Sequence, residues 1–283
     1  MMITALLLFA TLQSQITTIA AQTDATVGVA AIDLESGRRV SIHGDDHFPM
    51  ASVFKFPVAL VVLQRVDSGE LKLDDAITIE PKQFSRGHSP LRDSANGKPV
   101  TASVRHLIEL MVVESDNTAV DYFIRRLGGA AITTRIRALA GDGVRVDRPE
   151  NDIAEAIQTH GIPAYVRDVR DTATPDGMVR LLANFAKRKD GLTPASHDLL
   201  AHFMTASHNP VRLGSALPPG TIVTHKTGTM PGVFNDVGII TSADGKHHIA
   251  IAVFTKKPAA QNEDVALRVV SQIARAAYDS LTR

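Results

Sequence analysis

"GTIVTHKTGT", Gly220 to Thr229, is where the apolar period of this chain returns to two after a long helical stretch. It reads as a strand. "NDVGIITS" (Asn235 to Ser242) and "HHIAIAVFTK" (His247 to Lys256) follow with the same alternation, the last two joined by a hairpin turn at Asp244-Gly245. A helix over Glu263 to Leu281 closes the chain, with Val265, Val269, Ile273 and Ala277 at i, i+4 spacing.

Upstream, "VGVAAIDLESGRRVSIHG" (Val27 to Gly44) reads as two strands around a turn at Ser36-Gly37. Between the two strand sets the period is helical. "SVFKFPVALVVLQRVDSG" starts a helix at Ser52, with Pro57 tolerable in its first turns and Gly69 ending it. "VTASVRHLIELMVVE" (Val100 to Glu114) reads as one helix. Asn117 to Gly129 reads as another, capped by Asn117 or Thr118 and stopped by Gly128-Gly129. Pro175 to Arg188 and Ser196 to Ser207 continue the pattern, whereas "RPENDIAEAIQ" (Arg148 to Gln158) keeps no period long enough for a helix. Strands from both ends can form one antiparallel sheet with the helical block inserted as a second lobe, and a cleft between lobes is where ligands bind.

Composition narrows the function. The formal net charge is zero, with 44% hydrophobic and 21% charged residues, so no field draws the chain to nucleic acid or to an anionic membrane. Cysteine is absent, which excludes disulfides, thiol catalysis and cysteine metal sites. "MMITALLLFA" followed by Ala20 and Ala21 reads as a signal peptide over residues 1–21 cut after Ala21, although no Lys or Arg stands near its start. The apolar run is too short to span a bilayer. An exported protein, periplasmic or secreted, monomeric and off the membrane once processed, is the expectation. A zinc enzyme is not expected: His247 and His248 are adjacent on a strand, point to opposite faces, and have no evident acidic or His partner.

Three motifs sit at the joints of this plan. In "SVFK", Ser52 and Lys55 share one helix face, at a helix start whose N–H groups favour an oxyanion. A serine needs a neighbouring amine or base to become a nucleophile. "SDN", Ser115 to Asn117, lies between two helices. "KTG", Lys226 to Gly228, lies on an inner strand, with Lys226 as a positive floor and Gly228 leaving room for a ligand along the backbone. Alone, S-x-x-K arises about once in a chain this long. All three, in this order and these settings, form a far more specific signal.

The chain resembles the class A serine β-lactamases over essentially its whole mature length, a family for which this trio is a known signature. "TAVDYF", "SALPPGTIVTHKTGT" and "RDTATP" carry the resemblance further. It implies an α+β fold, an antiparallel sheet flanked by terminal helices plus an inserted all-α lobe. Residues 22–48 and 208–283 would form the α/β lobe and 49–207 the helical one. It further implies a β-lactam substrate and no cofactor or metal. Ser52 would be acylated, Lys55 its proton partner and Ser115 the relay to the lactam nitrogen. Asn117 would hold the substrate's side-chain amide, and Lys226 and Thr227 its carboxylate. The N–H groups of Ser52 and Thr229 would form the oxyanion hole.

In this family a glutamate in an Ω-type loop activates the deacylating water. Here the loop would span 148–171, closed by Arg148 and Asp171, with Glu150 as the base and Glu155 and Asp152 as the other candidates. Three departures stand out. Ala154 replaces the usual Asn beside the water, Asp121 stands where Asn is usual, and "QTHGIPAYVRDV" lengthens the loop. Were Asp121 and Glu150 to meet, the two carboxylates would tend to share a proton. His88 occupies the place of an aromatic gatekeeper, and Arg212 that of the cation near the substrate carboxylate. The rival readings are a D,D-peptidase or penicillin-binding protein and a non-hydrolysing β-lactam sensor.

Overall fold

The computed structural model describes residues 12–207 and 212–283. In chain order the elements are α1 (12–20), β1 (Thr26–Asp33), β2 (Arg39–Ile42), β3 (Phe48–Pro49), α2 (Lys55–Asp67) after a 3-10 turn at Ala51–Phe54, and β4 (Ala76–Ile79). Then come α3 (Pro90–Ala95), β5 (Val100–Ser103), α4 (Val104–Val112), α5 (Asn117–Leu127), α6 (Gly129–Ala140) and α7 (Glu150–Tyr165). The chain finishes with β6 (Thr172–Ala173), α8 (Pro175–Ala186), α9 (Pro194–Thr205), β7 (Ile222–Met230), β8 (Val233–Thr241), β9 (His248–Lys256) and α10 (Glu263–Leu281).

The sheet runs β2-β1-β9-β8-β7, antiparallel throughout, so strands from both ends of the chain do pair. Alternation along the strands feeds two cores. Ile249, Ile251 and Val253 of β9, with Val27 and Val29 of β1, pack outward beneath α1 and α10. Ala250, Ala252 and Phe254 point inward and join the core of the helical block, where α8 covers the sheet. At the centre of that block is α2. Every residue from Lys55 to Gln64 is buried, which is why its sequence is apolar on all sides.

Residues 1–11 of the expected signal segment and the lobe boundary at 208 lie outside the described residues; residues 12–20 form α1, whose Leu12, Ile16 and Ile19 fill the outer core. Several other expectations need correction. The segment Val100 to Glu114 is not one helix. Its β-branched start pairs with β4, and Ser103 then caps α4 by accepting the His106 N–H at 3.2 Å. Asp116, not Asn117 or Thr118, caps α5 through the Ala119 N–H at 2.8 Å, so the Asn117 side chain is not spent on the cap and turns to Lys55 and the Arg86 carbonyl instead. Glu150 to Tyr165 is helical after all, with a break at Gly161 (φ 78°) that interrupts the period. The two histidines, His247 just before β9 and His248 at its start, do have acidic partners, at the end of β1 and in the turn after it. His247 meets Asp33 at 3.2 Å and His248 meets Glu35 at 2.8 Å.

Candidate active site

The 3-10 turn before α2 carries Ser52 to the mouth of a cleft of about 280 Å³ between the sheet and the helical block. Its lining includes Ser52, His88, Ser115, Asn117, Glu150, Ala154, Thr227 and Thr229. Ala51 and Ser115 take left-handed backbone angles (φ 47° and 60°), the kind of local strain that rigid surroundings must hold in place.

Lys55 is the hub. Its Nζ donates to Ser52 Oγ at 2.9 Å, the Ser115 carbonyl at 2.7 Å and Asn117 Oδ1 at 2.6 Å, which satisfies the three donors of an ammonium. Glu150 Oε1 lies 3.5 Å from the same nitrogen and accepts from Ser52 Oγ at 3.4 Å. Both ions are buried. Burial pulls Lys55 below the ordinary lysine value, and the charges of Glu150, Asp116 and Asp121 oppose that pull. Ser115 Oγ then links two cations, with Lys55 at 3.3 Å and Lys226 at 3.0 Å. Burial, and after it the charge of Lys55, push Lys226 well below its ordinary value.

Of the three candidate bases, Glu150 is buried at this junction while Asp152 and Glu155 are exposed. The loop is closed as expected. Arg148 Nε donates to Asp171 at 2.7 Å, and Asp171 also accepts the Asp147 and Arg148 N–H groups at 2.6 and 2.9 Å. Asp121 meets the backbone of Glu150 rather than its carboxylate. It accepts the backbone N–H of Glu150 at 2.6 Å and of Asn151 at 3.2 Å, so it caps α7 from outside.

Gly228 has a second reason to carry no side chain. A Cβ there would lie 2.5 Å from the Met50 carbonyl, so its absence makes room for the turn that carries Ser52. Arg212 is buried behind β7. It donates to the Gly228 and Asn235 carbonyls at 3.0 and 2.8 Å and to Thr229 Oγ1 at 2.5 Å. His88 stands on the cleft rim with Nε2 2.8 Å from the Glu114 carbonyl. Sequence reasoning missed Asn235, whose amide donates to the Pro49 and Met50 carbonyls at 2.9 and 3.0 Å and so ties the Ser52 turn to β8. No local pattern marks such a residue.

Comparison with known proteins follows the same line. The model of the beta-lactamase enzyme family matches residues 11–281. The chain is 30% identical to the extended-spectrum β-lactamase PER-1 of Pseudomonas aeruginosa, over 94% of this chain and 86% of that one. The solved TLA-1 extended-spectrum β-lactamase superposes with a TM-score of 0.87 at 29% identity, covering 97% and 99% of the two chains. An ancestral class A β-lactamase gives 0.83 at 29%, covering 95% and 99%. This chain therefore belongs to the β-lactamase family, as a class A serine enzyme that hydrolyses β-lactams. Nothing among these findings favours a peptidase or a silent sensor.

Proposed function

We propose that Ser52 is the acylated nucleophile and Glu150 the base of deacylation. The single observation that supports this reading best is the meeting of Ser52 Oγ, Lys55 Nζ and Glu150 Oε1 within 2.9 to 3.5 Å. Lys55, its acidity raised by burial, passes a proton to Glu150 and then takes the Ser52 proton as the oxygen attacks the lactam carbonyl. The N–H groups of Ser52 and Thr229 stabilise the oxyanion, each worth roughly 3 kcal/mol. As the C–N bond breaks, Ser115 gives its proton to the departing nitrogen and is reprotonated from the lysines it joins. Glu150 next returns its proton to Lys55, which restores the carboxylate. The carboxylate takes a proton from a water that attacks the ester, Ser52 leaves with a proton from Lys55 as the ester C–O bond breaks, and Glu150 hands its proton back to Lys55. Asn117 binds the substrate's side-chain amide, and Lys226, Thr227 and Thr229 its carboxylate. The Arg212 N–H occupies a lone pair of Thr229 Oγ1, which leaves the hydroxyl proton for the substrate.

The test is product counted per protein with a chromogenic cephalosporin. Many turnovers are expected from the native chain, a single stoichiometric burst from Glu150→Gln and none from Ser52→Ala. A single burst from the native chain would sink the hydrolase reading.

Bulky oxyimino cephalosporins are the proposed preferred substrates. Ala154 in the cleft wall leaves space where the family usually places Asn, and PER-1 and TLA-1 are named as extended-spectrum enzymes. Turnover of small penicillins with none of bulky cephalosporins would overturn this. Export is proposed from the apolar stretch "MMITALLLFA". Among the described residues no helix is long and apolar enough to cross a membrane. Cell fractionation that leaves all activity in the cytosol would refute export.

A further inference from the structure

Behind the carboxylate-binding strand lies a buried acid that the chemistry above does not use. Asp236 sits on β8 opposite Thr227 and is fully buried. Its Oδ1 meets His225 Nδ1 at 2.8 Å, and its Oδ2 accepts the Leu213 N–H at 3.0 Å. Those contacts have direction. Leu213 follows Arg212 in the chain, and His225 precedes Lys226, so one carboxylate grips the residues next to both cations of the substrate-carboxylate site.

The charge balance asks for such a group. Lys55, Lys226 and Arg212 are three buried cations on one side of the cleft. Glu150 lies against Lys55, 3.5 Å away. The charge of Arg212 disfavours that of Lys226 unless an anion is near. Asp236 is the strongest opposing charge for both. Burial lowers each cation's affinity for its proton, and Asp236 is the largest charge that restores it at Arg212 and at Lys226 alike. Arg212 has a further constraint, because its guanidinium lies over the Phe234 ring at 5.4 Å and ends on Thr229 Oγ1. A small shift of the Arg212 segment would therefore turn the Thr229 hydroxyl.

We infer that Asp236 is a positioning residue for recognition of the substrate's ring carboxylate. It fixes the Arg212 segment through the Leu213 N–H and supplies the buried negative charge that holds Arg212 and Lys226 behind Thr227 and Thr229. It touches no substrate. Its influence is confined to substrates that bring their own anion, because only these use the two cations it holds.

This inference rests on the assignment of Lys226, Thr227 and Thr229 to the carboxylate. It is tested with one chromogenic cephalosporin in two forms, the free acid and a neutral ester of the ring carboxylate. In Asp236→Asn the KM for the acid should rise at least tenfold with kcat within about threefold. The kcat/KM ratio of acid to ester should fall at least tenfold, while the ester itself changes by less than about threefold. Asp236→Glu keeps the charge and moves it by one methylene, so it should retain a ratio at least threefold above that of the asparagine variant. Should the asparagine variant not fold, the glutamate variant compared with the native chain carries the test: its loss must fall on the acid and spare the ester. Equal losses on acid and ester mean a general structural role and overturn the inference, as does an unchanged ratio. A native enzyme that prefers the ester, or turns over neither form, overturns the carboxylate assignment itself and this inference with it.

Discussion

Asp121 accepts the backbone N–H of Glu150 at 2.6 Å, so a buried side chain of α5 holds the first turn of the helix that carries the proposed deacylating base. Burial raises its carboxyl from 3.8 to about 6, against the pull of the Ser85 hydroxyl and the two N–H groups. Between those values the folded chain holds a proton that the unfolded chain has released. Raising the pH through that window therefore weakens the fold, by up to about 3 kcal/mol in the limit. Asp121→Asn removes the titration. Its melting temperature relative to the native chain is expected to climb by several degrees between pH 4.5 and pH 8. A difference that stays constant with pH would show that Asp121 takes up no proton on folding.

Asn235 bridges three backbone groups, the Pro49 and Met50 carbonyls and the Thr255 N–H at 3.0 Å. Asn235→Ala removes all three bonds; the Met50 carbonyl keeps the Val53 N–H at 3.2 Å, and each buried group left without a partner costs about 1–3 kcal/mol before relaxation. A net loss of roughly 3 kcal/mol is expected, read as a drop of about 6–12 °C in Tm. Activity of the folded fraction should fall too, because the same amide ties the Ser52 turn to the sheet.

Gly228→Ala would drive a methyl group against the Met50 carbonyl, which is backbone and cannot swing away. Overpacking of this kind costs about 1–3 kcal/mol. The sharper effect falls on chemistry, since the displaced turn holds Ser52. A loss of at least tenfold in acylation rate is expected, measured as the burst rate in a Glu150→Gln background. Unchanged acylation would mean that the turn is softer than its packing implies.

Leu12, Ile16 and Ile19 of α1 lie in the outer core beside Val269 and Ile273 of α10. Burying three such side chains contributes roughly 5 kcal/mol as an upper estimate. A chain begun at Gln22 should therefore melt well below one begun at Leu12, and far more of it should be unfolded at 37 °C. Equal melting temperatures would remove α1 from the stability of the domain.

The strands β7, β8 and β9 and the terminal helix were legible because alternation and i, i+4 spacing are local signals. The same holds for S-x-x-K, SDN and KTG, whose partners follow from spacing along one element. What escaped was non-local. The strand at Val100–Ser103 exists because β4 pairs with it, and the first turn of α7 is held by Asp121, which reaches across from α5, while Gly161 breaks the period further along. Gly228 showed the limit of reading one residue. Its freedom was evident, but the neighbour that needed the space belongs to a turn far away in sequence. Asp236 and Asn235 left no trace in the pattern, since a buried polar residue on a strand looks like an interruption until its partners are seen.

The contacts of Lys55 have a kinetic meaning. Ser115 and Asn117 lie 60 and 62 positions along the chain from it, and Ser52 is separated from Glu150 by 98. No isolated hairpin or helix pair contains more than a fragment of that set, and long-range closures of this sort assemble slowly. The serine of a nascent or half-folded chain is thus an ordinary alcohol, inert toward the metabolites around it. Recovered hydrolysis after dilution from denaturant would report the last step of folding and none of the earlier ones.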